Sequence, residues 1–346
     1  MKKIIFLPFI NGGENDRLGL TWRNDLEANF LNDPDIRELT DKINAERNKN
    51  PGDNASAQAL ADYYNALHKV KAERQIRWVN RLSAETAGLF GKVIGDLPEN
   101  VVQTDEQKPN DYVIVAALPE FFWYDINDNR KHLNEDKYYH KAIYGNVVMD
   151  HLGTSDNPIA VLTARYKNLI FFAGTTVWKQ INASDHTKDS SFNTMHIYHS
   201  GKHIDTWTKY FPSNIDGVSL AKKWEKAKRD TKYVYAPITE FKGVKFTYDI
   251  CLDFSVKIGG VAQPPLSTIF CNGEKTDVNI LIAAGMPIYD KDLTNINSPV
   301  ILRCDGLSAP YGEIASNGAY PANNPLKISG GTDIVGNLEI EIDTQS

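Results

Sequence analysis

The sequence predicts an α/β protein in which buried β-strands form the centre and helices cover them. Several continuous apolar runs have the length of strands buried on both faces, among them VIVAAL before Pro119 and VNILIAAG before Met286. Helical patterns such as Glu135–Val148 and Val218–Ala227 lie between these runs. Alternation of this kind is typical of folds built from layers of helices and sheet.

The predicted elements follow one another along the chain from a first strand at Lys3–Phe9. A long amphipathic helix is predicted over Ser56–Phe90, because Leu60, Tyr63 and Leu67 repeat at spacings of three and four. The later apolar runs predict further strands, namely Asp111–Glu120, Asn168–Trp178, Ser191–Phe211 with a turn at Ser200–Gly201, Val244–Cys251, Asp277–Gly285, Pro299–Ile314 and Asn337–Asp343.

Length and composition indicate one large globular unit. The chain has 346 residues, of which 42% are hydrophobic and 24% charged, as in ordinary globular proteins. Length alone allows one or two domains, and we expect a single domain over residues 1–346. A polar stretch at about 11–54, rich in Gly, Asn, Asp and Pro, is expected to be an insertion of loop and short helix.

Charge and hydropathy argue against nucleic acid and membrane as partners. The net charge is −6, and basic residues are mixed with acidic ones. No run of 18 apolar residues is present to span a membrane. The three cysteines form neither a disulfide framework nor a zinc pattern, so we expect a cytoplasmic protein. Secretion stays open, because the chain begins with MKKIIFLPF.

No cofactor or metal is expected from the motifs. The glycine pairs match neither a phosphate loop nor a dinucleotide fingerprint. His196, His199 and His203 form the densest histidine set, but their spacing suits one face of a strand poorly. These histidines are interpreted as exposed positions of a hairpin.

Three predicted strands end on side chains that can take part in catalysis. Glu120 follows the first long apolar run, Lys209 follows the strand after the Gly201 turn, and Cys251 closes the run VKFTYDIC. Ligand sites of α/β sheets gather beyond the carboxyl ends of strands. We therefore expect these three side chains to meet in one pocket.

An acid, an ammonium and a thiol form a workable nucleophilic site. A free thiol, with a pKa of about 8.5, is mostly protonated at neutral pH. The Glu120 carboxylate would take its proton, and the Lys209 ammonium would stabilise the oxyanion formed when Cys251 attacks. The backbone N–H of Leu252, just after the nucleophile, would supply a second oxyanion donor.

These residues stand in motifs that resemble the nitrilase, or carbon–nitrogen hydrolase, superfamily. The quoted stretches VIVAALPE, NTMHIYHSGKHIDTWTKYF and GVKFTYDICLD resemble the family's glutamate, lysine and cysteine motifs in the same chain order. Weaker echoes follow in VNILIAAGMP and GLSAPYGEI. The resemblance covers roughly Lys3 and Asp111 to Ile314.

The resemblance implies a fold, a set of roles and an assembly. It implies a four-layer α-β-β-α sandwich with two mixed β-sheets, associating as a homodimer or a higher homo-oligomer. By this likeness Glu120 is the general base, Lys209 the oxyanion stabiliser and Cys251 the nucleophile. Many members carry a second glutamate beyond the lysine. This chain has Asp216 there, which either takes that supporting role or leaves it unfilled.

Aromatic residues next to the three motifs have two interpretations. They are either core residues or walls of a pocket for the acyl group, because they begin beside the chemistry. The residues concerned are Phe121, Trp123, Tyr124, Tyr210 and Phe254.

The expected reaction is cleavage of a non-peptide C–N bond through a cysteinyl thioester, with a small or medium amide or a nitrile as substrate. Two alternatives stay open. One is an acyltransferase of the same fold that passes the acyl group to an amine or alcohol, and the other is a catalytically silent binding or scaffold protein. Cys271 and Cys304 lack comparable companions and are expected to be inert thiols.

Overall fold

Two mixed β-sheets form the centre of the described part of the chain. The computed structural model describes residues 1–9, 34–48, 54–108, 110–120, 122–123, 148–180, 190–210, 237–255, 257–258, 261–262, 264–288, 297–306, 312–316 and 335–344. Strands are numbered below along the chain.

The first sheet has six strands, and four of them run in the same direction. They are β1 (Lys2–Pro8), β2 (Tyr112–Leu118), β3 (Leu169–Gln180), β4 (Ser190–His199), β5 (Lys202–Thr208) and β13 (Leu338–Ile342). Their order across the sheet is β13-β1-β2-β3-β4-β5. Because β1, β2 and β3 pair in parallel while β4 pairs antiparallel with both β3 and β5, the strands β2 and β5 end at the same edge.

The second sheet has five strands with a parallel centre. They are β6 (Ile238–Phe241), β7 (Val244–Ile250), β10 (Val278–Ala283), β11 (Val300–Asp305) and β12 (Gly312–Ser316), in the order β12-β11-β10-β7-β6. Strand β10 pairs in parallel with both β7 and β11, and the two outer pairs are antiparallel. A small separate ribbon joins β8 (Lys257–Ile258) to β9 (Val261–Ala262).

Alternating side chains of β3 show how the layers stack. The Phe172 ring faces the second sheet, where it lies 5.9 Å from the ring of Phe246 and 6.1 Å from that of Tyr248. Its neighbour Phe171 points the other way and meets the ring of Phe90 at 4.9 Å. Because successive residues of a strand point to opposite faces, one face of this sheet packs on the second sheet and the other on helices.

The helices lie outside the two sheets. They are α1 (Pro34–Arg47), α2 (Asn54–Gly95), α3 (Pro158–Arg165) and α4 (Leu266–Phe270). The 42 residues of α2 correspond to roughly 60 Å of helix at about 1.5 Å per residue. Helix α3 packs against α2, and its N-cap residue Asn157 accepts a hydrogen bond from the Ile159 N–H.

Helix α4 covers the outer face of the second sheet through a buried carboxylate. Both the backbone N–H and the hydroxyl of Ser267 donate to Asp249, at 2.9 and 2.5 Å, and the Asn279 amide donates to it at 2.9 Å. Burial raises the pKa of Asp249 to about 6, although the hydrogen bonds from Ser267 and Asn279 oppose this shift. The order of layers is therefore helix, sheet, sheet, helix, which confirms the predicted α-β-β-α architecture.

Most predicted strands are confirmed, and several short elements were missed. The long helix begins and ends a few residues outside its predicted bounds. The sequence pattern did not reveal α1 as a 14-residue helix, nor α3, β6 and α4. The run predicted as Pro299–Ile314 contains two strands, β11 and β12.

Two predicted helices fall largely where the structure gives no description. Val218–Ala227 lies outside the described residues, as does Glu135–Val148 except for its last residue, which opens a helical turn at 148–152. Residues 10–33 and 49–53 of the predicted polar insertion also lie outside. Among the described residues, no helix is long and apolar enough to cross a membrane.

The prediction that the hairpin histidines are exposed is wrong for His196. Tyr198 stands directly opposite His203 across the hairpin, so His196, two residues before Tyr198, shares a face with both. His196 is only 1% exposed, and its Nδ1 lies 3.1 Å from Nε2 of His203. Met149 covers the other ring nitrogen. Burial, and secondly the neighbouring His203, lowers the pKa of His196 to about 3.

We expect His196 to make the protein sensitive to acid. The folded state keeps the imidazole neutral, whereas the unfolded chain takes up a proton near pH 6.5. The free energy of unfolding should therefore fall as the pH drops from 6.5 towards 3, by up to about 1.4 kcal/mol per pH unit. Urea unfolding of wild type and His196→Leu across this range measures the effect. A difference between the two proteins that does not change with pH would contradict it.

Candidate active site

Glu120 and Lys209 form an ion pair inside the protein. The Lys209 Nζ donates to Glu120 Oε1 at 2.7 Å, and the side chains are 1% and 0% exposed. The two residues are 89 positions apart, but each follows a strand that ends at the same edge of the first sheet. The sheet topology thus brings the predicted acid and ammonium into direct contact.

Cys251 occupies a strained corner at the end of β7. Its φ angle is 49°, in the left-handed region that a residue with a Cβ rarely adopts. A single turn of 3₁₀-helix, Cys251–Asp253, begins there directly after the strand. A strand that turns sharply into a helix at a positive φ is the arrangement of a nucleophile elbow. The Cys251 residue is 5% exposed.

The backbone of Glu120 reaches the strand next to Cys251. The Glu120 N–H donates to the carbonyl of Ala283 at 3.3 Å. Ala283 closes β10, in which the preceding Ile282 pairs with Ile250 of β7. The Glu120 backbone therefore meets the end of β10, the strand that lies next to the turn at Cys251.

Asp253 joins the cysteine turn to the lysine segment. Its two carboxylate oxygens accept the backbone N–H of Tyr210 at 3.0 and 2.9 Å. Tyr210 directly follows Lys209, and Asp253 is the last residue of the turn that begins at Cys251. The structure therefore brings all three predicted residues, Glu120, Lys209 and Cys251, to one region between the two sheets.

A bulge in β3 holds the segment that carries Glu120. The register of β3 against β4 shifts between Phe172 and Thr175, where Gly174 has a φ of 60°. The Trp123 indole donates to the carbonyl of Ala173 inside this bulge, and the Trp123 N–H approaches the Thr175 carbonyl at 3.4 Å. The chain that follows Glu120 is thereby fixed to the sheet.

Asn193 contacts both members of the ion pair, and it was not predicted as a site residue from the sequence. Its Nδ2 donates to Glu120 Oε1 at 2.8 Å, and its carbonyl accepts the Lys209 N–H at 2.8 Å. Asn193 lies on β4 and is 6% exposed. The signal that was available is its position in an apolar hairpin strand, where a buried amide needs a polar partner.

The predicted pocket residues that are described divide between core and site. Trp123 and Phe254 are 2% and 1% exposed and pack in the core. Tyr210 is half-buried, and its ring meets Phe270 at 5.5 Å. Phe270 also contacts Trp207, so these three rings form a wall beside Lys209 that the sequence did not reveal. Phe121, Tyr124 and Asp216 lie outside the described residues.

Tyr210 is the titratable group of this aromatic wall. Burial, and secondly the Asp253 carboxylate, raises the pKa of its hydroxyl above the ordinary value. The phenol is therefore protonated at neutral pH and presents an O–H group next to Lys209 in sequence.

The other two thiols have surroundings that keep them protonated. Burial raises the pKa of Cys271 to about 12, and the carboxylates of Asp249 and Glu274 add to this shift. Burial also raises the pKa of Cys304, which is fully enclosed. Its Sγ lies 3.4 Å from the carbonyl oxygen of Ala117. A thiol that stays protonated is a poor nucleophile, in line with the expectation that these two cysteines are inert.

A metal centre is not assembled in the described ranges. No group of three or more His, Cys, Asp or Glu side chains there is arranged to hold an ion.

Comparison with known proteins gives low similarities. No family model matches the sequence, and no curated protein matches it. An amidase from Nesterenkonia sp. matches with 10% identity and a TM-score of 0.36, over 66% of this chain and 74% of the amidase. The glutamine-dependent NAD+ synthetase of Acinetobacter baumannii, solved with ADP, matches with 11% identity and a TM-score of 0.35, over 66% of this chain and 35% of the synthetase. The corresponding synthetase of Cytophaga hutchinsonii matches with 10% identity and a TM-score of 0.36, over 92% of this chain and 39% of the synthetase.

We expect Gly174→Ala to displace the segment of Glu120. A Cβ at Gly174 would lie 2.6 Å from the Pro119 carbonyl and 3.0 Å from the Cβ of Phe122, so the backbone around Glu120 must move. A misplacement of about 1 Å can cost roughly 100-fold in rate. The measurement is the rate at which iodoacetamide alkylates Cys251, with urea unfolding of the same samples.

Gly243→Ala is the matched control for this change. Gly243 also has a positive φ, 76°, but a Cβ there meets nothing within 4 Å. It should lose about 1–2 kcal/mol of stability from backbone strain alone and keep its alkylation rate. Equal alkylation rates in the two variants would show that the bulge does not position Glu120.

Proposed function

We propose that the chain is a thiol-dependent hydrolase of a non-peptide C–N bond, most suited to a small or medium amide. One observation carries the proposal: the buried Lys209–Glu120 ion pair is linked to the strained turn at Cys251, because Tyr210, next to Lys209, donates its N–H to Asp253 in that turn. A strained backbone and a buried charged pair both cost stability. Their meeting at one place is typical of a catalytic site.

In the first step Cys251 attacks the carbonyl carbon of the amide. Glu120 Oε1 already accepts hydrogen bonds from Lys209 and Asn193, so the thiol proton passes to Oε2. The S–C bond forms, and the carbonyl electrons move onto oxygen. The Lys209 ammonium stabilises this oxyanion, and the Leu252 N–H, at the start of the 3₁₀ turn, is our candidate for a second donor.

In the second half the tetrahedral adduct collapses and the amine leaves. Glu120 passes the thiol proton to the nitrogen as the C–N bond breaks, which leaves a thioester on Cys251. Water then gives a proton to Glu120 and attacks the thioester carbon, and the carboxylic acid departs as the proton returns to sulfur. The same carboxylate acts as base and acid in turn, and every proton is accounted for.

Each of the three side chains should be needed for a different part of the reaction. Cys251→Ser, Glu120→Gln and Lys209→Met should each reduce turnover of any accepted amide by at least about 100-fold. Only Cys251→Ser should also abolish the mass increase that iodoacetamide produces at this residue. A panel of aliphatic and aromatic primary amides with ammonia detection, and intact-mass spectrometry, measure both effects. Undiminished turnover in Cys251→Ser would remove this cysteine from the mechanism.

Hydrolysis and acyl transfer make opposite predictions for added amine. If water is the natural acceptor, hydroxylamine should divert part of the product to a hydroxamate without speeding consumption of the amide, provided that thioester formation limits the rate. If an amine is the natural acceptor, consumption should accelerate and a thioester adduct on Cys251 should accumulate in its absence. Stopped reactions analysed by intact mass separate the two outcomes.

A further inference from the structure

We propose that Asn193 is a positioning residue that fixes the orientation of the Glu120 carboxylate toward Cys251. The inference rests on the proposed function and deepens it. In this scheme Asn193 determines which oxygen of the Glu120 carboxylate takes the proton. Asn193 itself forms no bond to the substrate.

Asn193 forms hydrogen bonds to both members of the ion pair. Its side chain donates to Glu120 Oε1, and its backbone carbonyl accepts the N–H of Lys209. One residue of β4 thus sets the position of the acid, which follows β2, and of the lysine, which follows β5. A shift of Asn193 would change the distance between the two charges.

Two donors on one oxygen define how the carboxylate is turned. Lys209 Nζ and Asn193 Nδ2 both donate to Glu120 Oε1, at 2.7 and 2.8 Å. These two bonds use the two acceptor positions of that oxygen. A carboxylate held by donors from two directions resists rotation about its Cγ–Cδ bond, so Oε2 keeps one orientation.

The cost of burying Asn193 supports a role beyond packing. Its Oδ1 is buried and has no hydrogen-bond partner among the described residues. An unmet buried acceptor costs about 1–3 kcal/mol, and a leucine of similar shape would avoid that cost. Among the described residues, the bond of this amide to Glu120 is the interaction that offsets the penalty.

The charged and titratable groups around Glu120 come from three elements. Lys209 follows β5, and Cys251 and Asp253 belong to the turn after β7. Arg303 pairs with Asp305 at the end of β11. The next residue, Gly306, donates its N–H to the same Ala283 carbonyl that accepts the N–H of Glu120. Any pH effect of changing Asn193 has to be measured with all of these groups intact.

The experiment compares two shape-preserving variants with a control on the same strand. Asn193→Leu removes the donor, and Asn193→Asp replaces it with a second carboxylate beside Glu120. Thr194→Val is the control, because Thr194 is the next residue of β4, is also buried, and bonds through its hydroxyl to Trp178 and Thr208. The full-length proteins are alkylated with iodoacetamide from pH 5 to 10, and the adduct on Cys251 is quantified by peptide mass.

Both Asn193 variants should alkylate more slowly at neutral pH, by about tenfold or more, since a displaced general base loses much of its effect. The pH at which the alkylation rate is half-maximal should be higher in both variants. In Asn193→Leu the loss of a hydrogen-bond donor disfavours the ionised Glu120 carboxylate, and in Asn193→Asp the added like charge does so. For any amide that wild type hydrolyses, kcat should fall while KM changes little. Thr194→Val should keep the wild-type rate and midpoint even if its melting temperature falls.

The outcomes separate this inference from the proposed function. Absence of alkylation at Cys251 in wild type would overturn both. If wild type is alkylated and Asn193→Asp has the same rate and the same pH midpoint of alkylation, the role of Asn193 alone is overturned. The same conclusion follows if Thr194→Val changes the rate and midpoint as much as the Asn193 variants do. If Asn193→Leu fails to fold, Asn193→Asp still decides the matter, because it keeps both the shape and a polar group.

Discussion

The ion pair between Lys209 and Glu120 is the constraint on which the rest of the site depends. Removing a carboxylate and an ammonium from water costs several kcal/mol for each ion, and attraction repays this only when the geometry is good and further hydrogen bonds are present. Here the pair is almost completely enclosed, and Asn193 supplies an additional bond. The pair therefore forms only when β2, β4 and β5 are assembled, and chemistry at this site requires the complete first sheet.

Two positive φ angles, one in each sheet, adjust the backbone around that pair. Gly174 turns β3 into a bulge so that the chain before and after Glu120 can approach it closely, and Cys251 turns the chain sharply at the end of β7. Glycine tolerates this conformation, whereas a cysteine in it costs about 1–2 kcal/mol. The bonds from Asp253 to Tyr210 lie directly beyond the corner and oppose its relaxation.

Sequence patterns predicted most strands and the strand ends that carry the three candidate catalytic residues, because both depend on local order along the chain. A buried strand needs a continuous apolar run, and its carboxyl end determines where Glu120, Lys209 and Cys251 lie. Asn193 and His196 escaped prediction because their environments depend on neighbours across the hairpin, which the register creates. The sequence shows which residues of one strand share a face, but it does not show which residues of the neighbouring strand lie opposite them.

Short elements were missed for a different reason. Helix α3 has only eight residues, too few for a clear apolar period, although Asn157 followed by Pro158 is a start signal for a helix. The bulge at Gly174 could not be predicted either, because an isolated glycine in a strand marks a bulge, a bend or a close approach equally well. Only the contact with Pro119 decides among these.

Buried carboxylates near the two sheets differ in how their charge is balanced, and this difference bears on which one can exchange protons. Asp305 is paired with Arg303 and accepts backbone N–H groups, and Glu120 is paired with Lys209. Asp249 has only neutral donors in its described bonds, and burial raises its pKa to about 6. Asp249 lies under α4 on the outer face of the second sheet, whereas the Lys209–Glu120 pair lies on the inner side. The protonation of Asp249 is therefore separate from that of the pair. The base of the proposed mechanism has to stay ionised, which a neighbouring cation favours, and the fold places such a cation at Glu120 rather than at Asp249.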